Sequence, residues 1–381
     1  MHIAIDAHSI GTGLGGNETY ASNLIEALAD LDTKNRYTLY VTKREAVERY
    51  AGRWPHVTLR RTLPHTPLVR IPLTLTAELR RRPVDILHVQ YTAPPYAPCA
   101  VVAMIHDLSF EHLPETFKRR SWMQMRLTVR PTARSAAHVL TDSDYSREDI
   151  LRTYGLPPER VTATPLAASP IFRPVEDAAR VKRTLDKYGI EGEYLLAVGS
   201  IQPRKNIPRL INAYASLFAR SAGPMPKLVI AGKPAWLYDE TLRTAGGSDA
   251  RDHIIFTGYV PEAELPSLYT GALCFVYPSY FEGFGIPPLE AMRCGTPVIT
   301  SNGTCFPEVV GDAGLMVDTL NERAIADAIL RMLAEPGLRE KLREKGLKHA
   351  LKYDWRETAR LTLGIYEQVM FSEDSLLKKR L

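Results

Sequence analysis

Short apolar segments that alternate with amphipathic helical patterns constrain this chain more than any other feature. Residues 3–7, 37–42, 86–89, 101–105, 139–141 and 161–164 form one series, and 195–198, 228–231, 254–258, 273–277, 298–300 and 315–317 form a second. Between them run patterns such as Tyr20, Leu24, Ala27, Leu28 and Leu31, whose spacing covers one face of a helix. Brief strands alternating with helices predict parallel sheets covered on both faces. The two series separate near 170–190, at the proline-bearing connector Ser169-Pro170-Ile171-Phe172-Arg173-Pro174. The expected fold class is α/β, with two Rossmann-like, doubly wound parallel-sheet domains, 1–172 and 173–354, facing a cleft. From about 320 the pattern is helical. A last helix entered at Asp354-Trp355, within 355–381, is expected to return to the first domain, with 372–381 as a frayed tail.

The totals agree with this division. At 381 residues the chain exceeds what one core usually organises. An apolar fraction of 45% and a charged fraction of 24% are ordinary for a globular protein. The net charge of +5 suits an anionic ligand or membrane surface and is too mild to argue for nucleic acid. The four cysteines, Cys99, Cys274, Cys294 and Cys305, lack zinc-site spacing and fit buried thiols in a reducing compartment. The start, Met-His-Ile-Ala-Ile-Asp, has no basic region and long apolar core, so a cytoplasmic protein is expected. Residues 86–106 carry no Lys, Arg, Asp or Glu, but Pro94, Pro95 and Pro98 break them into two strands and a loop.

Chemistry concentrates where strands end. Residues 282–290 read Glu-Gly-Phe-Gly-Ile-Pro-Pro-Leu-Glu, between an apolar strand and a helix. Gly283 and Gly285 allow close backbone approach to a ligand. Pro288 fits a first helical turn, which would place Glu290 in that turn and Glu282 on the loop before it. Such a loop can aim amides at phosphate and a carboxylate at each sugar ring of a sugar nucleotide. The strand at 195–198 runs into Gly199-Ser200-Ile201-Gln202-Pro203-Arg204-Lys205-Asn206, with Asn206 a good N-cap for the next helix. Arg204 and Lys205 therefore stand at the ligand edge of a parallel sheet, where two cations can hold a diphosphate.

Gly11-Thr12-Gly13-Leu14-Gly15-Gly16 formally satisfies Gly-x-Gly-x-x-Gly. The spacer His8-Ser9-Ile10 and the Lys43-Arg44 pair after the second strand, in place of a ribose-binding acid, argue against NAD(P). His106-Asp107 ends another strand, where a neutral imidazole can hydrogen-bond a sugar hydroxyl. His88 is an acceptor-side candidate. Asp142-Ser143-Asp144 imitates an Asp-x-Asp metal motif but leads into a helix start, so no metal site is expected there.

Residues 282–297 as a whole resemble the Glu-x7-Glu block of the GT4 family of retaining glycosyltransferases. Gly15-Gly16, His106 and Arg204-Lys205 are supporting anchors, and the resemblance extends over nearly the whole chain. It implies the GT-B fold. It also implies transfer of a hexose from a nucleotide diphosphate to an acceptor hydroxyl, with retention, without metal, and without any cofactor beyond the sugar nucleotide. In this family Gly15 and Gly16 approach the donor phosphate and His106 the transferred sugar. Arg204 and Lys205 grip the diphosphate. Gly258, Tyr259 and Val260 neighbour the base, and Gly283, Phe284, Gly285 and Ile286 form the donor loop. Glu282 faces the sugar and Glu290 the ribose. Many members place the arginine directly after the strand glycine, where this chain has Ser200, and Arg204 stands in for it. The stretch Gly232 to Tyr238 looks like bacterial mannosyltransferases, so GDP-mannose is the first donor expectation. UDP-glucose and UDP-N-acetylglucosamine are the alternatives, and an oxidoreductase or a non-catalytic sugar-nucleotide binder is the reading from another class. The acceptor is unknown, with a lipid-linked one in view. Residues 118–134 carry six bases and no acid, with Arg119, Arg126, Arg130 and Arg134 on one helical stripe. That stripe fits peripheral contact with anionic lipid on the inner face of the membrane, and equally an ordinary basic surface helix that Pro131 should kink or divide.

Overall fold

The computed structural model describes residues 1–13, 15–221 and 223–378. By internal packing the chain forms two compact units. One comprises Met1–His112, Arg120–Leu166 and Asp354 onward; the other comprises Leu113–Arg119 and Ala167–Tyr353. The division thus falls between Leu166 and Ala167, so 167–172 belong with the second unit, not with the first as the sequence suggested.

The first unit holds a sheet of seven strands: β1 (His2–Asp6), β2 (Arg36–Val41), β3 (Val57–Arg61), β4 (Ile86–Gln90), β5 (Ala100–Met104), β6 (His138–Thr141) and β7 (Val161–Ala163). Their order is β3-β2-β1-β4-β5-β6-β7, and all pairs are parallel. The second unit holds β8 (Tyr194–Val198), β9 (Lys227–Ala231), β10 (Ile254–Gly258), β11 (Cys274–Tyr277), β12 (Val298–Ser301) and β13 (Leu315–Val317). Their order is β10-β9-β8-β11-β12-β13, again parallel throughout. Each sheet reverses its winding once, between β1 and β4 in one and between β8 and β11 in the other. The crevice beyond the strand carboxyl ends at such a reversal is where open α/β sheets bind ligands.

Continuous apolar runs make this architecture. Every residue of β4 and β5 is buried, as a strand covered on both faces requires. In the second unit, Leu210, Ile211, Tyr214 and Leu217 of helix Ile207–Arg220 pack with Ile325, Ile329 and Met332 of helix Glu322–Ala334 against the sheet. Each such side chain contributes roughly 1.5–3 kcal/mol by leaving water. The 86–106 stretch is indeed two strands, and no helix among the described residues is long and apolar enough to cross a membrane. Cys274, Cys294 and Cys305 are buried thiols.

The terminal helix Trp355–Lys378 packs on the first unit, burying Trp355, Ala359, Tyr366 and Val369. Thr358 Oγ1 donates to Pro165 O at 2.5 Å. The helix backbone continues through 372–378, where a frayed tail is expected from the sequence; 379–381 lie outside the described residues.

Candidate active site

Arg204, Lys205 and Glu282 meet at the β8/β11 reversal. After β8 the chain passes through the 3-10 turn Pro203–Lys205 into helix Ile207–Arg220; after β11 it turns through 278–285 into helix Ile286–Arg293. Asn206 takes the N-cap position with φ 57°, but its side chain does not cap the helix. It is buried and donates instead to Pro278 O at 3.1 Å and Thr319 O at 2.8 Å, bracing the two loops that carry the site. Glu282 is buried between them. Arg204 donates to its Oε2 at 2.7 Å and Lys205 to its Oε1 at 2.6 Å. Ser279 and Tyr277 hydroxyls donate to the same Oε1 at 2.5 Å and 3.1 Å. Lys205 also donates to the Tyr277 hydroxyl, and Arg204 to Phe281 O. Burial alone would push the Glu282 carboxyl up; the charges of Arg204 and Lys205, with the hydrogen bonds, overcome it and hold the group at about 2. Two cations and one carboxylate thus form a single cluster with excess positive charge.

Glu290 lies elsewhere and in another state. The helix begins at Ile286, so Glu290 falls in its second turn, not the first. The reason is local: Gly285 adopts φ 87° as the N-cap, and a Cβ there would stand 2.8 Å from the Phe306 ring, so the helix starts directly after it. Pro288 is then the third helical residue. The Glu290 side chain is buried and accepts from Tyr269 Oη at 2.9 Å. Burial pushes its carboxyl up to about 8, with Glu262 adding to the rise and Tyr269 opposing it. Of the donor-loop residues, Gly283 is buried and Ile286 half-buried. Phe284 packs edge-on against Tyr353 in the interior, so any ligand contact it makes is through its backbone.

The ends of β8, β9 and β10 are tied by their glycines. Gly199 N donates to Ala231 O, and Gly232 N to Gly258 O, both at 2.9 Å. A Cβ on Gly232 would lie 1.9 Å from Gly199 O, so no other residue fits this crossing. Gly258 has φ 70°. Tyr259 is largely exposed beneath the Lys233 ammonium, 4.1 Å from its ring centre, and Val260 is buried. In the 232–238 stretch, Trp236 Nε1 donates to Thr116 O at 2.7 Å and its ring stacks on Phe117.

In the first unit, Gly15 caps helix Gly16–Leu31 with φ 61°. Glu18, in the first turn of that helix, accepts from Gly11 N at 2.8 Å and Gly13 N at 2.7 Å. The glycine loop therefore already satisfies an acid of its own chain, which its sequence pattern did not foretell. His106 is buried beyond β5. Its Nδ1 lies 2.9 Å from Asp142 Oδ2 and its Nε2 3.0 Å from Gln90 Oε1. Tyr20 meets the ring edge-on at 4.8 Å. Asp142 thus serves a histidine, Ser143 caps helix Asp144–Tyr154, and no metal-binding cluster occurs among the described residues. His88, the acceptor-side candidate, is a buried strut. Its ring nitrogens lie 3.1 Å from Tyr20 Oη and 2.7 Å from Tyr366 Oη, and burial lowers its pKa to about 3.

The basic stripe lies on one helix, Arg119–Ser135, which Pro131 does not divide. The carbonyl deprived of a donor belongs to Leu127, an exposed residue. Arg126 sits over the Trp122 ring and Arg130 over Tyr154, while Met123 and Leu127 expose apolar surface beside them. Leu68, Val69 and Leu73 are also exposed, in a helical stretch that no apolar periodicity marks.

Comparison with known proteins speaks to the family and the fold. A family profile described as "Glycosyltransferase Family 4" fits residues 14–168, and one described as "Glycosyl transferases group 1" fits 183–349. The O-antigen chain mannosyltransferase B of Escherichia coli is 37% identical over 267 residues, 70% of this chain and 70% of that protein. Sucrose-phosphate synthase from Thermosynechococcus elongatus superposes with a TM-score of 0.78 at 21% identity, covering 98% of this chain and 100% of the other. Anabaena HepE in complex with UDP and glucose does so with a TM-score of 0.75 at 16% identity, covering 97% and 100%. Likeness at those identities speaks to the fold alone. From the two profiles, the coverage of the mannosyltransferase and the paired seven- and six-stranded parallel sheets, the chain belongs to the family 4 glycosyltransferases and has the GT-B fold.

Proposed function

We propose that this glycosyltransferase moves a hexose from a nucleotide diphosphate to the hydroxyl of a growing glycan, with retention and without metal. The observation that carries the reading is the Glu282 cluster: two cations fixed at a sheet reversal by one shared carboxylate. A diphosphate leaving group entering there meets charge already in place, and preorganised charge is what lowers such a barrier. Glu282 then positions the sugar while Arg204 and Lys205 turn to the phosphates, and His106 meets a sugar hydroxyl. Glu290 holds the ribose, and the Gly283–Ile286 loop and the Gly258–Val260 turn seat the rest of the nucleotide. Mannose from GDP-mannose is the first donor. It is supported by the relative named as a mannosyltransferase and by the 232–238 stretch. That relative's name also supports a polysaccharide acceptor, carried on lipid in our reading. UDP-glucose and UDP-N-acetylglucosamine are the alternative donors, because a base seated by backbone groups is not chosen by side chains.

A thermal-shift panel of GDP-mannose, UDP-glucose and UDP-N-acetylglucosamine, followed by release of nucleoside diphosphate in EDTA, tests this. Stabilisation by GDP-mannose and EDTA-resistant release are expected. A response only to UDP sugars moves the donor; metal-restorable loss in EDTA overturns the charge argument. Peripheral contact with anionic lipid runs through 118–134 in this proposal. Charge reversal at Arg126 and Arg130 should reduce sedimentation with anionic vesicles, and no binding by the parent protein returns the helix to an ordinary surface.

A further inference from the structure

Four adjacent strands of the first unit, β1, β4, β5 and β6, each end in one member of a continuous chain of side chains. Asp142 follows β6, His106 follows β5, Gln90 closes β4 and Ser9 follows β1. All four are buried. From His106 the links run 2.9 Å to Asp142 and 3.0 Å to Gln90 Oε1. Gln90 Nε2 donates to Ser9 Oγ at 3.3 Å, and Ser9 Oγ donates to Asn17 O at 3.1 Å, in the first turn after the glycine loop. One end is therefore the Asp142 carboxyl, and the other is anchored on the first turn of the helix that follows the glycine loop.

We infer that Asp142 and Gln90 are positioning residues for His106: Asp142 fixes the proton on Nδ1, and Gln90 occupies Nε2 until a sugar hydroxyl takes its place. This rests on the role proposed for His106. A carboxylate facing Nδ1 requires a proton there, which leaves Nε2 as the nitrogen whose partner can change. With Nδ1–H committed to Asp142, Nε2 bonds Gln90 Oε1 while it too carries a proton. In the neutral ring the Gln90 amide must turn so that its N–H donates to Nε2; a sugar hydroxyl, which both donates and accepts, serves either state of the ring. Tyr20, against the ring edge and itself held by His88, keeps the imidazole from turning away from either partner. Asp142 touches no substrate in this scheme; it acts through the ring.

Nitrogen-15 spectra of the imidazoles, with the His106→Asn variant supplying the assignment, test the inference on the intact protein. The expected pattern is a protonated Nδ1 on His106; a proton only on Nε2 overturns it. Asp142→Asn should move the proton toward Nε2 and lower kcat by about a hundredfold, the scale of a lost tautomer or aligned proton donor, with donor KM changed less than about threefold. Gln90→Met should leave the Nδ1 signature intact and cost less than about tenfold. A merely structural Asp142 would lower the melting temperature without moving the His106 signal. If His106→Ala keeps near-normal kcat, the role of His106 itself falls. If His106→Ala is costly and a folded Asp142→Asn is not, this inference falls alone.

Discussion

Glu282 and Glu290 stand eight positions apart, both buried, and burial drives both toward the neutral acid. The loop around Glu282 answers with two cations and two hydroxyls; the helix around Glu290 answers with one tyrosine. One carboxyl is held at about 2 and the other pushed to about 8. Partners, not depth, decide the charge. At neutral pH the loop therefore offers a fixed anion among cations, while the helix offers a group that can donate as well as accept.

The difference can be broken by substitution. The largest effect belongs to Glu282→Gln, which keeps the shape but leaves Arg204 and Lys205 without their counter-charge. Its kcat should fall at least about a hundredfold with donor binding near normal, as for a lost transition-state contact. A variant that turns over within tenfold of the parent would show that the cluster is only a structural pair. Next comes the pH dependence of stability. Glu290 has a folded pKa raised above 4.5, so its contribution is complete below about 4.5 and lost as pH rises toward 8. Each pH unit in that window is worth up to about 1.4 kcal/mol. The melting temperature of Glu290→Gln, taken relative to the parent, should thus climb by roughly 5 °C or more between pH 5 and pH 8. A flat difference would place a compensating cation beside Glu290. Glu282, depressed below 4.5, behaves oppositely: its stabilisation is present above about 4.5 and lost as pH falls toward 2. The smallest effect is kinetic. Because Glu290 is mostly protonated at neutral pH, Gln replaces it nearly in kind, and donor KM should rise less than about tenfold. A rise as large as the kcat loss at Glu282 would mean that the ribose contact proposed for Glu290 needs the ionised form.

Much of this was legible in the chain itself. Twelve of the strands follow from apolar runs flanked by turns, because parallel strands covered on both faces must be apolar throughout. β3, Val-Thr-Leu-Arg-Arg, escaped because it is an edge strand, half-exposed and ending in two arginines. The positions of Arg204, Lys205, Glu282 and His106 at strand ends were readable from motif and spacing. Their pairings were not. Glu282 and Arg204 are separated by 78 residues, and the Asp142–His106–Gln90–Ser9 chain draws on four strands. Such contacts depend on strand order, which no local pattern encodes. Asn206 misled for a related reason: its type suits a cap, yet two carbonyls from distant loops claim its amide.

The strut between His88 and Tyr366 spans 278 positions, with the whole of the second unit's main segment lying between its ends. A ribosome releases residues in sequence order, so β1 to β7 emerge long before the helix that covers them. During that interval Tyr20 and His88 wait without the partner that closes their side of the sheet. The second unit has all its strands by Val317. The half of the molecule that is begun first is thus the half that is finished last.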